Sequence, residues 1–246
     1  MAIETTGTGE QLIQDSDGES YVNGLSAFSI TCWVKGDNLT PSPSDNGWFC
    51  VDIQSGTDNA LCMRFDNVGA NTGNAKCLKF GMGTTDISER NFETPSNTTF
   101  TTWKFIAWTW IAGEQPEAYV DGVLQTNSGY NSLASPGGTT VGAQEVALMV
   151  GVKDDPASES WDGQLQDFRI YNRKLTDEEI STMAALEGKD DIVYGLISRW
   201  RLNEGAPGVS ATGTDSIKDS GPFGSRHMTD TGTSSPTYRE SAIRIV

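Results

Sequence analysis

Polar and apolar positions alternate with a period of two along most of this chain. Within residues 27–35, Phe28, Ile30, Cys32 and Val34 share one face, and Ser29, Thr31, Trp33 and Lys35 share the other. That is the pattern of a strand with one face against a core. Further strands are expected at residues 48–53, 60–66, 76–82, 146–152 and 165–171, separated by loops rich in Gly, Asn, Asp and Thr. Residues 101–112 are apolar on both faces: Trp103, Phe105 and Ile111 alternate with Ile106, Trp108 and Trp110. A strand of this kind is central and covered on both sides. Asp121-Gly122 separates two short apolar runs. Both residues accept the positive φ of a type I′ turn, so a hairpin is expected there, with Asp121 as a turn residue. In 165–171, Leu165 has the opposite parity to Phe168 and Ile170. A β-bulge would bring all three to one core.

One helix interrupts the strands, near residues 176–187. Thr176-Asp177-Glu178-Glu179 has the form of a capping box, and three acids in the first turn suit the helix dipole. Ile180, Met183 and Ala184 form an apolar stripe, and Gly188 is the expected stop. So short a helix is expected to plug an edge or end of a sandwich. Trp200 and Leu202 then share a face of a strand at 197–202. Residues 205–246 are loop-rich and too poor in large apolar residues to form a core alone, and residues 241–246 alternate again and suit a sheet edge. The pattern predicts one all-β domain over residues 1–246, with 1–19 as an N-terminal arm and 205–246 returning to the sandwich.

Charge narrows the partners. Seventeen Lys and Arg stand against 33 Asp and Glu, a formal net charge of −16. No basic footprint exists for nucleic acid or for an anionic membrane surface. No apolar run is long enough to span a bilayer. The first six residues, MAIETT, have no basic start and no apolar segment, so no signal peptide and retention in a cytosol are expected. The cysteines, Cys32, Cys50, Cys62 and Cys77, lie in apolar strand-like contexts without a CxxC pair. Buried free thiols are the first reading, and a disulfide is the alternative. Zinc is disfavoured, because thiolate sites favour close ligand pairs and the one histidine is distant.

Three stretches together resemble the laminin-G-like, concanavalin A-like jelly-roll domains. Gly24-Leu25-Ser26-Ala27-Phe28-Ser29-Ile30-Thr31-Cys32-Trp33-Val34-Lys35 is similar to an opening strand of that family. Trp103-Lys104-Phe105-Ile106-Ala107-Trp108 with Ala118-Tyr119-Val120-Asp121-Gly122 resembles its central hairpin. Residues 161–176, WDGQLQDFRIYNRKLT, resemble its late strand, and this motif is the most specific. The resemblance covers about residues 20–188 and implies a two-sheet antiparallel β-sandwich. Residues 195–205, followed by Asp219-Ser220-Gly221, look like the segment that usually begins such a domain, which implies a circular permutation. Similar arrangements in phage and bacterial proteins suggest a virion component.

The chemistry for catalysis is thin. Glucanases of the related fold place Glu-x-Asp-x-x-Glu on one strand, where alternation puts the carboxylates on one face. No such strand occurs here: Glu114 and Glu117 flank a turn, and Glu178 and Glu179 belong to the helix cap. His227 lies outside any nucleophile motif and reads as a surface or packing residue. A non-enzyme is expected. For calcium, Asp154 and Asp155, followed by Glu159 and Asp162, form an acidic loop of suitable oxygen ligands. For sugar binding, Trp161 beside Asp162, and Trp33, Trp108 and Trp110 on an outer face, are the candidates. The first functional expectation is a structural or interaction protein on a particle surface, such as a virion decoration protein or fibre module. It would contact capsid or tail proteins and self-associate. The alternative is a lectin-like carbohydrate-binding module, calcium-dependent or not, with a host glycan as ligand.

Overall fold

The computed structural model describes residues 1–6, 12–14, 22–37, 46–52, 61–66, 76–95, 100–126, 135–140, 148–151, 161–230 and 234–242. Two antiparallel sheets face each other. The first contains β1 (Ala2–Thr6), β3 (Ala27–Gly36), β8 (Lys104–Ile111), β9 (Glu117–Val120), β10 (Val123–Leu124), β12 (Asp162–Tyr171), β13 (Leu196–Trp200) and β15 (Thr237–Arg239). The second contains β2 (Leu12–Gln14), β4 (Asn46–Asp52), β5 (Leu61–Asp66), β6 (Cys77–Thr84), β7 (Ile87–Glu93), β11 (Leu148–Val150) and β14 (Met228–Asp230). Strand order is β10-β9-β8-β3-β12-β1-β15 in the first sheet and β14-β2-β11-β4-β5-β6-β7 in the second. The main core lies between them. Phe28, Ile30, Cys32 and Val34 of β3 meet Leu61, Met63, Phe65, Leu78, Phe80 and Met82 of β5 and β6.

The centre of the first sheet explains its irregularity. β12 pairs with β3 along one edge. Its other edge is divided between β1, opposite Asp162 to Leu165, and β13, opposite Phe168 to Tyr171. At the division the register with β3 jumps between Gln166 and Arg169, and Asp167 has φ 52°. The bulge turns Leu165, Phe168 and Ile170 all into the core, as their mismatched parity required. The hairpin also forms: Asp121 and Gly122 have φ 52° and 78°. Asp121 Oδ1 accepts from the Phe105 N–H at 3.0 Å and Oδ2 pairs with Lys104 Nζ at 2.6 Å.

The helix α1 (Asp177–Leu186) closes the capping box in both directions: Glu179 N–H donates to Thr176 Oγ1 at 3.2 Å, and Thr176 N–H donates to Glu179 Oε2 at 3.0 Å. The left-handed stop falls on Glu187 (φ 51°), one residue before the expected Gly188 (φ 81°). α1 lays Ile180 and Met183, with Leu175, over the outer face of the first sheet, where Trp33, Phe105, Ala107, Tyr119 and Tyr171 form a second apolar layer. This is why β8 is apolar on both faces.

Two expectations are corrected. Trp108 and Trp110 do not face outward. Both are fully buried in the main core, where Trp108 stacks on Phe80 with ring centroids 5.2 Å apart. A gap of about 10 Å between sheets needs bulky side chains to fill it. The described part of 1–19 is not a free arm: β1 lies between β12 and β15, and β2 lies between β11 and β14. Thr237–Arg239 pairs with β1 at the sheet edge; of residues 241–246, 243–246 lie outside the described residues. Within 205–246, β14 pairs with β2 in the second sheet and β15 with β1 in the first. β1 and β15, strands near opposite ends of the described chain, are hydrogen-bonded neighbours.

Two groups of buried charges lie outside the main core. In the first sheet, Arg169 donates to Asp190 from its two terminal guanidinium nitrogens, at 2.7 and 2.9 Å, and to Asp167 Oδ2 from one of them and from Nε, at 2.6 and 3.0 Å. Arg199 Nε reaches the other Asp167 oxygen at 2.6 Å, and its NH2 group reaches the Gly188 carbonyl at 2.8 Å. This network ties the bulge to the strap that follows α1. In the second sheet, Lys79 lies between Asp66 and Glu93.

Cys32, Cys62 and Cys77 are buried thiols. The side chain of Cys50 lies outside the described residues. Burial pushes the Cys32 thiol up, and burial together with the charges of Glu93 and Asp66 pushes Cys77 up to about 12. These thiols stay protonated at neutral pH and have little thiolate to react. In the native chain, a maleimide should leave Cys32, Cys62 and Cys77 unmodified on a timescale at which the denatured chain is fully labelled. Rapid native labelling at Cys77, mapped by peptide mass, would contradict this packing.

A candidate ligand cleft at the helix N-terminus

An open cleft of about 560 Å³ lies where the β8–β9 turn meets the start of α1. Ile111, Glu114 and Glu117 come from the turn side, and Lys174, Thr176, Asp177 and Glu178 from the helix side. The register Ala27↔Ile111 between β3 and β8 fixes the first group, and the β12 end that leads into the cap fixes the second. Ser29 anchors this junction: its hydroxyl donates to the Arg173 carbonyl and accepts from the Leu175 N–H, each at 2.8 Å. Arg173 holds Glu179 through two bonds of 2.7 Å and so locks the cap beside the cleft.

Four carboxylates, Glu114, Glu117, Asp177 and Glu178, face one ammonium, Lys174. Lys174 Nζ bonds Glu114 at 3.0 Å and Glu117 at 2.9 Å. Burial works against its charge, but these two hydrogen bonds outweigh burial and raise its pKa. Beneath them, the Tyr119 hydroxyl lies 2.9 Å from Glu117 Oε2 and 2.7 Å from Asp177 Oδ1. Burial, then the hydrogen bonds to Asp177 and Glu117, raise the Tyr119 pKa, so the phenol stays protonated. A phenol has one proton to donate, and here two carboxylates lie against it. The cleft is therefore rich in acceptors and short of donors, while Ile111, 39% exposed, adds apolar surface.

A smaller cleft of about 230 Å³ lies in the C-terminal segment, lined by Glu204, Ser210, Thr212, Ser216 and Tyr238. Burial raises the Glu204 carboxyl above its usual range, against hydrogen bonds from backbone N–H groups and Tyr238. His227 is a packing residue: its Nδ1 accepts from the Asp219 N–H at 3.0 Å.

None of the described residues that the sequence offered as a site, Trp161, Asp162, Trp108 and Trp110, lines the cleft at the start of α1. Trp161, like Trp108 and Trp110, is fully buried, and its ring packs in T-shaped contacts with those of Phe65 and Phe100. These three indoles present no face to a sugar in this structure. Asp162 is half-buried at the start of β12, and its carbonyl accepts from the Asp37 N–H at 3.1 Å. Asp154, Asp155 and Glu159 lie outside the described residues. Among the described residues no cluster of three His, Cys, Asp or Glu is arranged to hold a metal. No helix among them is long and apolar enough to cross a membrane. The cleft residues Glu114, Glu117 and Glu178 were assigned by sequence to a turn and a cap. Both assignments are correct locally, and nothing in the local pattern showed that they meet.

A search of curated proteins returned no match to this sequence. Solved structures do match its fold. A putative carbohydrate binding protein from Bacteroides ovatus superposes with a TM-score of 0.65 at 14% identity, covering 100% of this chain and 63% of that one. The CBM40 of the Ruminococcus gnavus IT-sialidase, solved bound to α2,3-sialyllactose, gives 0.52 at 15% identity over 74% of this chain and 96% of that one. The heptameric SAP-like pentraxin of Limulus polyphemus gives 0.52 at 16% identity over 76% and 83%. At such identities these likenesses establish architecture, not ligand. A family model matches residues 7–181, well over half of the 246. With that match and the two facing sheets, this chain belongs to the concanavalin A-like lectin/glucanases superfamily.

Proposed function

We propose that this chain is a non-catalytic, lectin-like carbohydrate-binding module and that a glycan sits in the cleft at the α1 N-terminus. The observation that carries the reading is the donor shortage around Tyr119, where Glu117 and Asp177 share one phenolic proton. Sugar hydroxyls supply donors, and Ile111 offers an apolar patch for a ring face. The excess of carboxylates disfavours sialic or sulfated sugars and favours neutral or amine-bearing ones.

A glycan array probed with the purified chain, with and without calcium, tests this. A neutral or amino glycan is expected to bind, and Glu117→Gln with Asp177→Asn is expected to weaken binding about 10–100-fold, the worth of one lost charge-assisted hydrogen bond. Binding that survives the double substitution but vanishes with a chelator would move the site to a calcium loop at Asp154, Asp155 and Asp162. Release of reducing ends from the bound glycan would overturn the non-catalytic reading.

A second reading is a particle-surface component such as a virion protein. It draws on edge strand β10, whose Val123 and Leu124 are 63% and 51% exposed. A closed symmetric oligomer by light scattering would favour it, and a monomer would remove self-assembly from it.

A further inference from the structure

The second sheet carries a buried charged row that the ligand cleft does not use. Strands β5, β6 and β7 lie in register with Arg64↔Lys79, Lys79↔Glu93 and Asp66↔Cys77. Met63, Phe65, Leu78, Phe80 and Phe92 fill the main core. Alternation therefore puts Arg64, Asp66, Lys79 and Glu93 together on the opposite face. Even there, the side chains of Asp66, Lys79 and Glu93 are 0% exposed. Lys79 Nζ is in direct contact with Asp66 Oδ2 and lies 3.3 Å from Glu93 Oε1.

Burial penalises the charged forms of an amine and a carboxyl. Moving one proton from the Lys79 ammonium to Asp66 turns a buried ion pair into a neutral amine touching a carboxylic acid. Those two groups are the reactants of amide formation, and the sheet holds them at high effective concentration. A second carboxylate, Glu93, stands on the far side of the amine, where it can take a proton and return it.

We propose that Lys79 and Asp66 are joined by an intramolecular isopeptide bond that the folded chain forms unaided, with Glu93 carrying the proton. Lys79 Nζ attacks Asp66 Cγ, and the Nζ–Cγ bond forms. Glu93 accepts the proton lost by nitrogen and delivers it to the Asp66 hydroxyl. The Cγ–O bond breaks, and one water leaves. No oxidant, metal or other reactant is consumed. The product cross-links β5 to its antiparallel neighbour β6, and one positive charge (Arg64) and one negative charge (Glu93) remain in the row.

Intact mass spectrometry of the full chain, folded and then denatured, reads the bond directly. The expected mass is lower than the sequence mass by one water, and proteolysis should release a branched peptide containing both Asp66 and Lys79. Glu93→Gln and Lys79→Arg should each return the full mass for their sequences. Asp66→Asn, if it reacts, should lose ammonia in place of water. A wild-type chain at the full sequence mass overturns the proposal and leaves an ion pair only. So does a water loss that maps to a linear peptide at Asp121-Gly122, where a succinimide loses the same mass. The wild-type measurement decides the matter even if a variant fails to fold.

Discussion

Replacing Arg169 by Met is expected to destabilise the fold by about 3–5 kcal/mol, the cost of stranding buried charges by removing their partner. Arg169 is 1% exposed, and Asp167 and Asp190 are 2% and 7% exposed. Without the guanidinium, Asp190 loses both of its Arg169 bonds, and Asp167 keeps only Arg199. Arg169→Lys should recover only part of the loss, because an ammonium cannot make paired bonds to two carboxylates in this geometry. Urea unfolding of the variants against the parent measures the effect.

The same change should alter the acid limb of stability. Burial alone would raise the Asp190 carboxyl, but the Arg169 hydrogen bonds and charge outweigh burial and lower it. A carboxyl lowered in the folded state contributes stability above its unfolded pKa of about 4, and that contribution is lost as pH falls through the folded value. The Met variant lacks this contribution at any pH. Its deficit should be widest near neutrality and should narrow below about pH 4. A deficit of the same size at all pH values would show that lost packing, and not the ion network, is what the substitution removes.

Truncation after residue 204 is expected to abolish folding. It removes β15 from the edge of β1 and β14 from the edge of β2. It also removes Ile217, Met228 and Tyr238 from the core. At about 1.5–3 kcal/mol for each buried side chain, those three contribute about 5–9 kcal/mol. The net stability of a domain is about 5–15 kcal/mol, so little or nothing would remain. The Trp200 indole would also lose its acceptor, the Arg226 carbonyl. Circular dichroism and light scattering should find an unfolded or aggregated chain, since two bare sheet edges invite pairing between molecules. A monomer with a cooperative melt would show instead that the C-terminal segment is an appendage.

The sequence by itself determined the features written in neighbouring residues. Alternation located β3, β4, β5 and β6 and most of β12. The parity break between Leu165 and Phe168 located the bulge, Asp121-Gly122 the hairpin, and Thr176 with Glu179 the capping box. Each of these depends on period, on the sign of φ or on a hydrogen bond three residues away, and a short window contains all of that. Ala2–Thr6 escaped notice because five residues with two buried apolar side chains give too short an alternation to count. Its place became visible only through its partners, Leu165 and Tyr238.

The tertiary structure decided what depends on distant pairings. Alternation says that Trp108 and Phe105 point to opposite sides of β8, but it does not say which side is inside. That was settled when α1 covered Phe105 and the second sheet covered Trp108. Tyr119 and Asp177 are 58 residues apart in sequence, yet the Tyr119 hydroxyl lies within hydrogen-bond distance of both Asp177 and Glu117. Asp66, Lys79 and Glu93 meet only because three strands pair in one register. A shift of one residue in any of those pairings would turn the charges toward the opposite face. Local chemistry therefore named the elements, and long-range register chose which polar groups would share a site.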